Sequence, residues 1–169
     1  MGSNPTWRTN QIGEILKLTQ YLKECFIGFL IVLLSSFLAN KALAYNPKQI
    51  DCIARNVYHE SRGEGIKGML AVAHVTLNRA KSGKFPSTPC GVVFQSNQFS
   101  WVRNKPVVRD QEQYSEVKQL VKEVVAGQHK DVTNGATYFH TRSIRPYWSN
   151  KMNCTARIGN HVFYKPKGR

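Results

Sequence analysis

Residues 56–65 read NVYHESRGEG. Glu60 and Glu64 stand in this stretch with Arg62 between them and Gly63 and Gly65 alongside. The stretch joins two segments of helical pattern. Upstream, in NPKQIDCIARNVYHES (46–61), Ile50, Ile53, Ala54 and Val57 recur at helical spacing. Glu60 continues that apolar stripe instead of falling on the wet face. Gly63 and Gly65 end the helix. Downstream, IKGMLAVAHVTLNRA (66–80) is apolar nearly all round, the pattern of a central, buried helix.

A carboxylate at the end of an apolar stripe is partly desolvated, and desolvation raises its pKa. A glycosidase acid needs that property, because it must hold a proton near neutral pH and give it to a leaving oxygen. The same position also suits a carboxylate that pairs with Arg62 or caps the loop, and spacing alone leaves both readings open. A zinc site is a weaker fit. The HExxH pattern requires a second histidine at position 63, which is Gly63. No Gly-x-Ser-x-Gly elbow is present, and no Cys/His spacing suggests structural zinc. The expectation is therefore no metal and no cofactor.

Further along, residues 81–109 are punctuated by Pro, Gly, Ser and Asn and read as loops and short strands. A third helix is expected over 110–127, with Asp110 and Gln113 as a loose capping box and Tyr114, Val117, Val121 and Val124 as its stripe. ATYFHT (136–141) and HVFYK (161–165) read as short strands. This order describes a small α+β domain, mainly helical with short strands.

The first 44 residues differ in character. A polar start with Arg8, Lys17 and Lys23 leads into the uninterrupted apolar run CFIGFLIVLLSSFLA (25–39), and Ala42 and Ala44 fit a small-x-small cleavage site. That is the order of a secretory signal. The run falls short of the roughly 20 residues that span a bilayer, while the long polar start also suits an uncleaved membrane anchor. Residues 1–44 are thus expected to be a signal peptide or anchor, and residues 45–169 the exported domain, in the periplasm or cell wall.

The chain has 24 Lys+Arg and 10 Asp+Glu, a net +14. Arg8, Lys17, Lys23, Lys41, Glu14 and Glu24 fall in the first 44 residues, so residues 45–169 hold 20 basic and 8 acidic side chains, a net +12. Such a field attracts polyanions. For an exported protein these are anionic cell-wall polymers or lipid headgroups. No nucleic-acid motif stands out. Cys52, Cys90 and Cys154 would remain after cleavage and allow one disulfide and one free thiol, with three possible pairings.

Few of the acids can accompany Glu60. Glu112, Glu116 and Glu123 lie on the third helix and Asp110 at its start, Asp51 begins the first helix, and Asp131 sits in a polar loop. Glu64 is left as the best-placed companion. Ordinary glycoside hydrolysis needs two carboxyls, whereas cleavage assisted by a hydroxyl of the sugar itself needs one acid that turns base. The scarcity favours the second route.

Several ordered blocks resemble the cell wall hydrolase family of spore cortex-lytic enzymes, the SleB type. Tyr58, Glu60, Arg62, Gly63 and Glu64 fill the first block. Gly68, Ala71, Val72, Ala73, Val75, Leu77, Asn78 and Arg79 fill the second. Phe85, Pro86, Thr88, Cys90 to Val93 and Gln98 to Ser100 fill the third, and GATYFHT…RPYWS…RIGNHVFY resembles the closing segment. His59 and Ser61 depart from the commoner residues of the first block.

The resemblance implies a lysozyme-like fold that cleaves peptidoglycan between N-acetylmuramic acid and N-acetylglucosamine. It implies that Glu60 is the acid/base of a lytic transglycosylase, and that Gln98, Phe99 and Ser100 line the sugar cleft, with Tyr138 and His140 as further candidates. Phe99, Tyr138 and Trp148 could stack on sugar faces. Arg62 and Glu64 are expected to hold the helix end and loop, with Glu64 also a candidate to contact the substrate. Alternatives are a two-carboxylate muramidase using Glu60 and Glu64, or a basic wall-binding protein with little or no activity. Cellular wall remodelling and phage lysis, as an endolysin, both fit.

Overall fold

The structure, a computed structural model, describes residues 17–30, 45–61 and 63–168. Residues 17–30 are helical and belong to a unit separate from residues 43–169. Among the described residues no helix is long and apolar enough to cross a membrane. The rest of the apolar run, the Ala42 and Ala44 cleavage site and Arg62 lie outside the described residues.

The domain opens with α1 (Pro47–Ser61) and α2 (Gly65–Lys81), the two helices expected around the glycine break. Gly65 has φ +67°, a left-handed turn that glycine enters without a Cβ penalty. Next come α3 (Pro89–Val93), α4 (Trp101–Asn104) and α5 (Gln111–Val125). The Asp110 carboxylate accepts the Gln113 amide, which fixes the start of α5 as the capping pattern implied. The segment 81–109 departs from expectation, because it carries the two short helices and no strands among its residues. Thr88 caps α3 by accepting the Gly91 amide, and Pro89 sets the helical φ of the first turn.

The three-stranded antiparallel sheet has the order β1 (Tyr138–Thr141), β3 (His161–Pro166), β2 (Met152–Ile158). β1 and β3 were legible as strands. β2 was not, because most of its side chains are exposed or half-buried and it lacks a clean apolar alternation.

Two apolar clusters meet on α2. Ile53, Val57 and Tyr58 of α1 and Val117, Val121 and Val124 of α5 pack with Leu70, Val72 and Leu77. On the other side Ala71 and Val75 pack with Ile158 and Phe163 of the sheet. A helix with helices on one flank and a sheet on the other must be apolar all round, which explains its sequence. Several polar side chains tie the elements together. The Asn56 amide donates to Thr76 Oγ1 at 3.1 Å, and Trp101 Nε1 donates to Asn56 Oδ1 at 3.0 Å. Asp51 takes Arg55, Lys118 and Tyr114, each at 2.9 Å. Burial pushes Asp51 up, but those donors outweigh it and hold its carboxyl at about 2.

Candidate active site

A cleft of about 660 Å³ runs between the helical part and the sheet. Glu60 reaches it from the last turn of α1 and Arg79 from the last turn of α2. The loop 95–100 and α4 form one wall, through Gln98, Phe99, Ser100 and Arg103 among others. β1 and the segment after it form the other, through Phe139, His140, Ile144 and Trp148, and His161 stands at the start of β3.

Glu60 lies one turn beyond Val57 on the stripe whose Ile53 and Val57 are fully buried. Burial raises its pKa above the ordinary 4.5, and the positive charge of Arg79 pulls the other way. Burial wins, so the carboxyl holds its proton to higher pH than a surface glutamate.

Arg79 is 5% exposed. Its Nε donates to the Thr137 carbonyl at 2.7 Å. Its guanidinium carbon lies 5.2 Å from the ring centres of both Phe85 and Phe99, and 5.9 Å from that of Phe139. Burial lowers its pKa to about 10 against the opposing pull of Tyr138 and Glu60, so it remains a cation at neutral pH. Rings that face a guanidinium recover part of its lost hydration.

Glu64 is not among the side chains lining the cleft. Its carboxylate accepts the backbone amide of Asn160 at 2.5 Å and lies 3.8 Å from His161 Nδ1. It thereby clasps the start of α2 to the β2–β3 turn. At Gly159 a Cβ would collide with the Glu64 Oε2 and displace the clasp, and its φ of +53° is one that glycine enters without strain. Burial lowers the pKa of His161, Glu64 raises it and His140 lowers it further, with a net decrease. His161 is therefore neutral at neutral pH.

Of the remaining candidates, Gln98, Phe99, Ser100 and His140 share the cleft with Glu60. Both His140 nitrogens are engaged, Nδ1 with the Thr141 carbonyl at 2.8 Å and Nε2 with the Tyr164 hydroxyl at 3.0 Å. Tyr138 is outside the lining. Its ring packs at 5.7 Å against both Phe85 and Trp148. Sequence reasoning gave no site role to Arg79 or His161. Arg79 had a signal: a cation on a helix apolar all round needs an explanation, as an acid on an apolar stripe does. His161 had none, since its place depends on a clasp between distant segments. Among the described residues no group of three or more His, Cys, Asp or Glu side chains is arranged to hold a metal.

The pattern of the cell wall hydrolase family matches residues 63–164. The chain belongs to that family. It is 33% identical over 121 residues to the spore cortex-lytic enzyme of Bacillus cereus, covering 72% of this chain and 46% of that protein. To its counterpart in Bacillus subtilis it is 30% identical over 132 residues, covering 74% and 40%. The chain thus spans less than half the length of these relatives.

Among solved structures it is similar to the catalytic domain of Bacillus cereus SleB, with TM-score 0.63 and 32% identity over 72% of this chain and 93% of that one. It is also similar to the catalytic domain of the germination-specific lytic transglycosylase SleB of Bacillus anthracis, with TM-score 0.62 and 33% identity over 72% and 98%. The lysozyme-like α+β class expected from the sequence is the class of these neighbours. Glu60 stands three residues before the start of the family match.

Proposed function

We propose that this chain cleaves the glycan strands of peptidoglycan between N-acetylmuramic acid and N-acetylglucosamine, as a lytic transglycosylase with Glu60 as its acid and then its base. The observation that carries the reading is a half-buried, proton-retaining carboxyl in a cleft where no second carboxylate is among the lining side chains. The family membership and the lytic transglycosylase among the similar structures support it.

In this reaction protonated Glu60 gives its proton to the glycosidic oxygen as the bond from that oxygen to the muramic anomeric carbon breaks. The Glu60 carboxylate then takes the proton of the muramic 6-hydroxyl, whose oxygen closes onto the anomeric carbon. Glu60 ends as it began, and no water is consumed. Digestion of purified peptidoglycan should therefore yield fragments ending in 1,6-anhydro-muramic acid, each one water lighter than the hydrolysis product by mass spectrometry. Reducing-end muramic acid would instead require a second carboxyl, and Glu64 is the nearest candidate in sequence. Its engagement with Asn160 disfavours that route.

Export to the periplasm or wall, by cleavage or with the N-terminal segment as an anchor, belongs to the same proposal. So does attraction to anionic wall polymers through the net +12 of residues 45–169. Exposed charges are screened beyond about 8 Å at physiological ionic strength. Retention of the domain on purified sacculi should accordingly fall as salt is raised. Retention unchanged by salt would assign the affinity to the cleft instead of the surface field.

A further inference from the structure

Arg79 shares the cleft with Glu60, yet among the described residues no ion pair joins them. Its Nη1 is buried and has no hydrogen-bond partner. The bond from Nε to Thr137 and the rings of Phe85, Phe99 and Phe139 leave the guanidinium little room to swing. We propose that Arg79 is the fixed counter-charge of the Glu60 carboxylate, a positioning residue that stabilises the anion formed once the acid has given up its proton. The inference rests on the reading of Glu60 as the acid.

The physical case is one of balance. A cation in direct contact with Glu60 would strip its proton at rest and leave no acid. No cation at all would make the carboxylate too costly to form in a desolvated cleft. A charge that is held nearby, but not in contact, lets burial keep the proton and still favours the anion when it appears. Because the cation is already in place, nothing need reorganise at the moment of transfer. The unpartnered Nη1 fits a donor whose acceptor exists during the reaction and not before it.

The other titratable groups of this region are His59 on the same helix, Glu64 beyond it, Arg103 on α4, Tyr138 and His140 on β1, and His161 on β3. Among them the charge that acts on Glu60 is that of Arg79. A purely bracing role is the competing explanation, since the Thr137 bond also ties α2 to β1.

Carbon NMR of the Glu60 carboxyl separates the two. The signal is assigned by its absence in Glu60→Gln. Arg79→Met removes the charge and leaves an unbranched chain among the rings. Glu60 should then titrate about one unit or more higher than in the wild type. The alkaline limb of glycan cleavage should move up with it, because cleavage requires the protonated acid. A brace would lower stability and activity without moving either titration, so an unchanged Glu60 titration in folded Arg79→Met overturns the proposal.

If that variant does not fold, Arg79→Lys keeps a cation in place. The introduced ammonium should titrate about one unit higher with Glu60 present than in the double variant with Glu60→Gln. Equal values overturn the proposal. The assignment of Glu60 as acid fails by a different result, namely cleavage by Glu60→Gln, which these titrations do not measure.

Discussion

Glu60→Gln should lower glycan cleavage by about 10²–10⁴-fold or more, the usual contribution of general acid–base help, with the fold intact. Glutamine nearly matches the shape of glutamate and cannot deliver the proton. The variant should also behave differently in stability. Burial raises the Glu60 pKa above its ordinary value. A carboxyl with a raised folded-state pKa contributes stability that is complete below its unfolded pKa and is lost as pH rises through its folded pKa. Glu60→Gln lacks that loss, so above the Glu60 pKa it should denature at higher temperature than the wild type. Glu64→Gln gives the contrast. Its side chain can still accept the Asn160 amide, so it should retain most activity. Full cleavage by a folded Glu60→Gln protein, measured on purified peptidoglycan, would end the assignment of Glu60. A comparable loss in Glu64→Gln would bring the second carboxyl back into the chemistry.

Breaking the Cys52–Cys90 disulfide should remove about 4 kcal/mol of stability, from the loop-closure entropy expected for a loop of this length. The sequence separation is 38. The bond links α1, which carries Glu60, to α3, which leads into the cleft loop 95–100. The Cys90 amide also donates to the Gln49 side chain at 2.9 Å, so the two helices stay paired locally when the sulfurs part. The loss should therefore appear mainly as a shift of the denaturation midpoint and less as lost cleavage at low temperature. Urea unfolding with and without reductant, and of Cys52→Ala/Cys90→Ala, measures it. Coincident curves would mean that the cross-link adds nothing to this fold. Cys154 is exposed on β2 and unpaired in the structure.

What could be read in the sequence was whatever depends on a local period. α1, α2 and α5 each present a stripe or an all-round apolar surface, and their limits fell within a few residues of expectation. Glu60 was legible for the same reason, since its place on the stripe of Ile53 and Val57 is a fact of spacing. The features that escaped depend on distance along the chain. Three cysteines allowed three pairings until α1 and α3 lay side by side. β2 is a largely exposed strand whose pairing with β3 owes little to its own apolar content. The ring enclosure of Arg79 draws on Phe85, Phe99 and Phe139, which come from three separate segments. Tyr138 was expected in the cleft from the resemblance, and at i and i+2 it shares a strand face with His140. Both are half-buried, but it is the neighbouring rings of Phe85 and Trp148 that take up Tyr138.

The clasp between Glu64 and Asn160 spans 96 positions of the chain. A polypeptide emerges from the ribosome N-terminus first, and Glu60 is made long before the hairpin that faces it. Until residue 160 has been added, α1 holds its acid with neither the clasp nor His161 opposite. The cleft is therefore completed only after residue 160 has been made, and a chain interrupted before that point carries the Glu60 carboxyl without β3, the strand that pairs with β1 in the opposite wall.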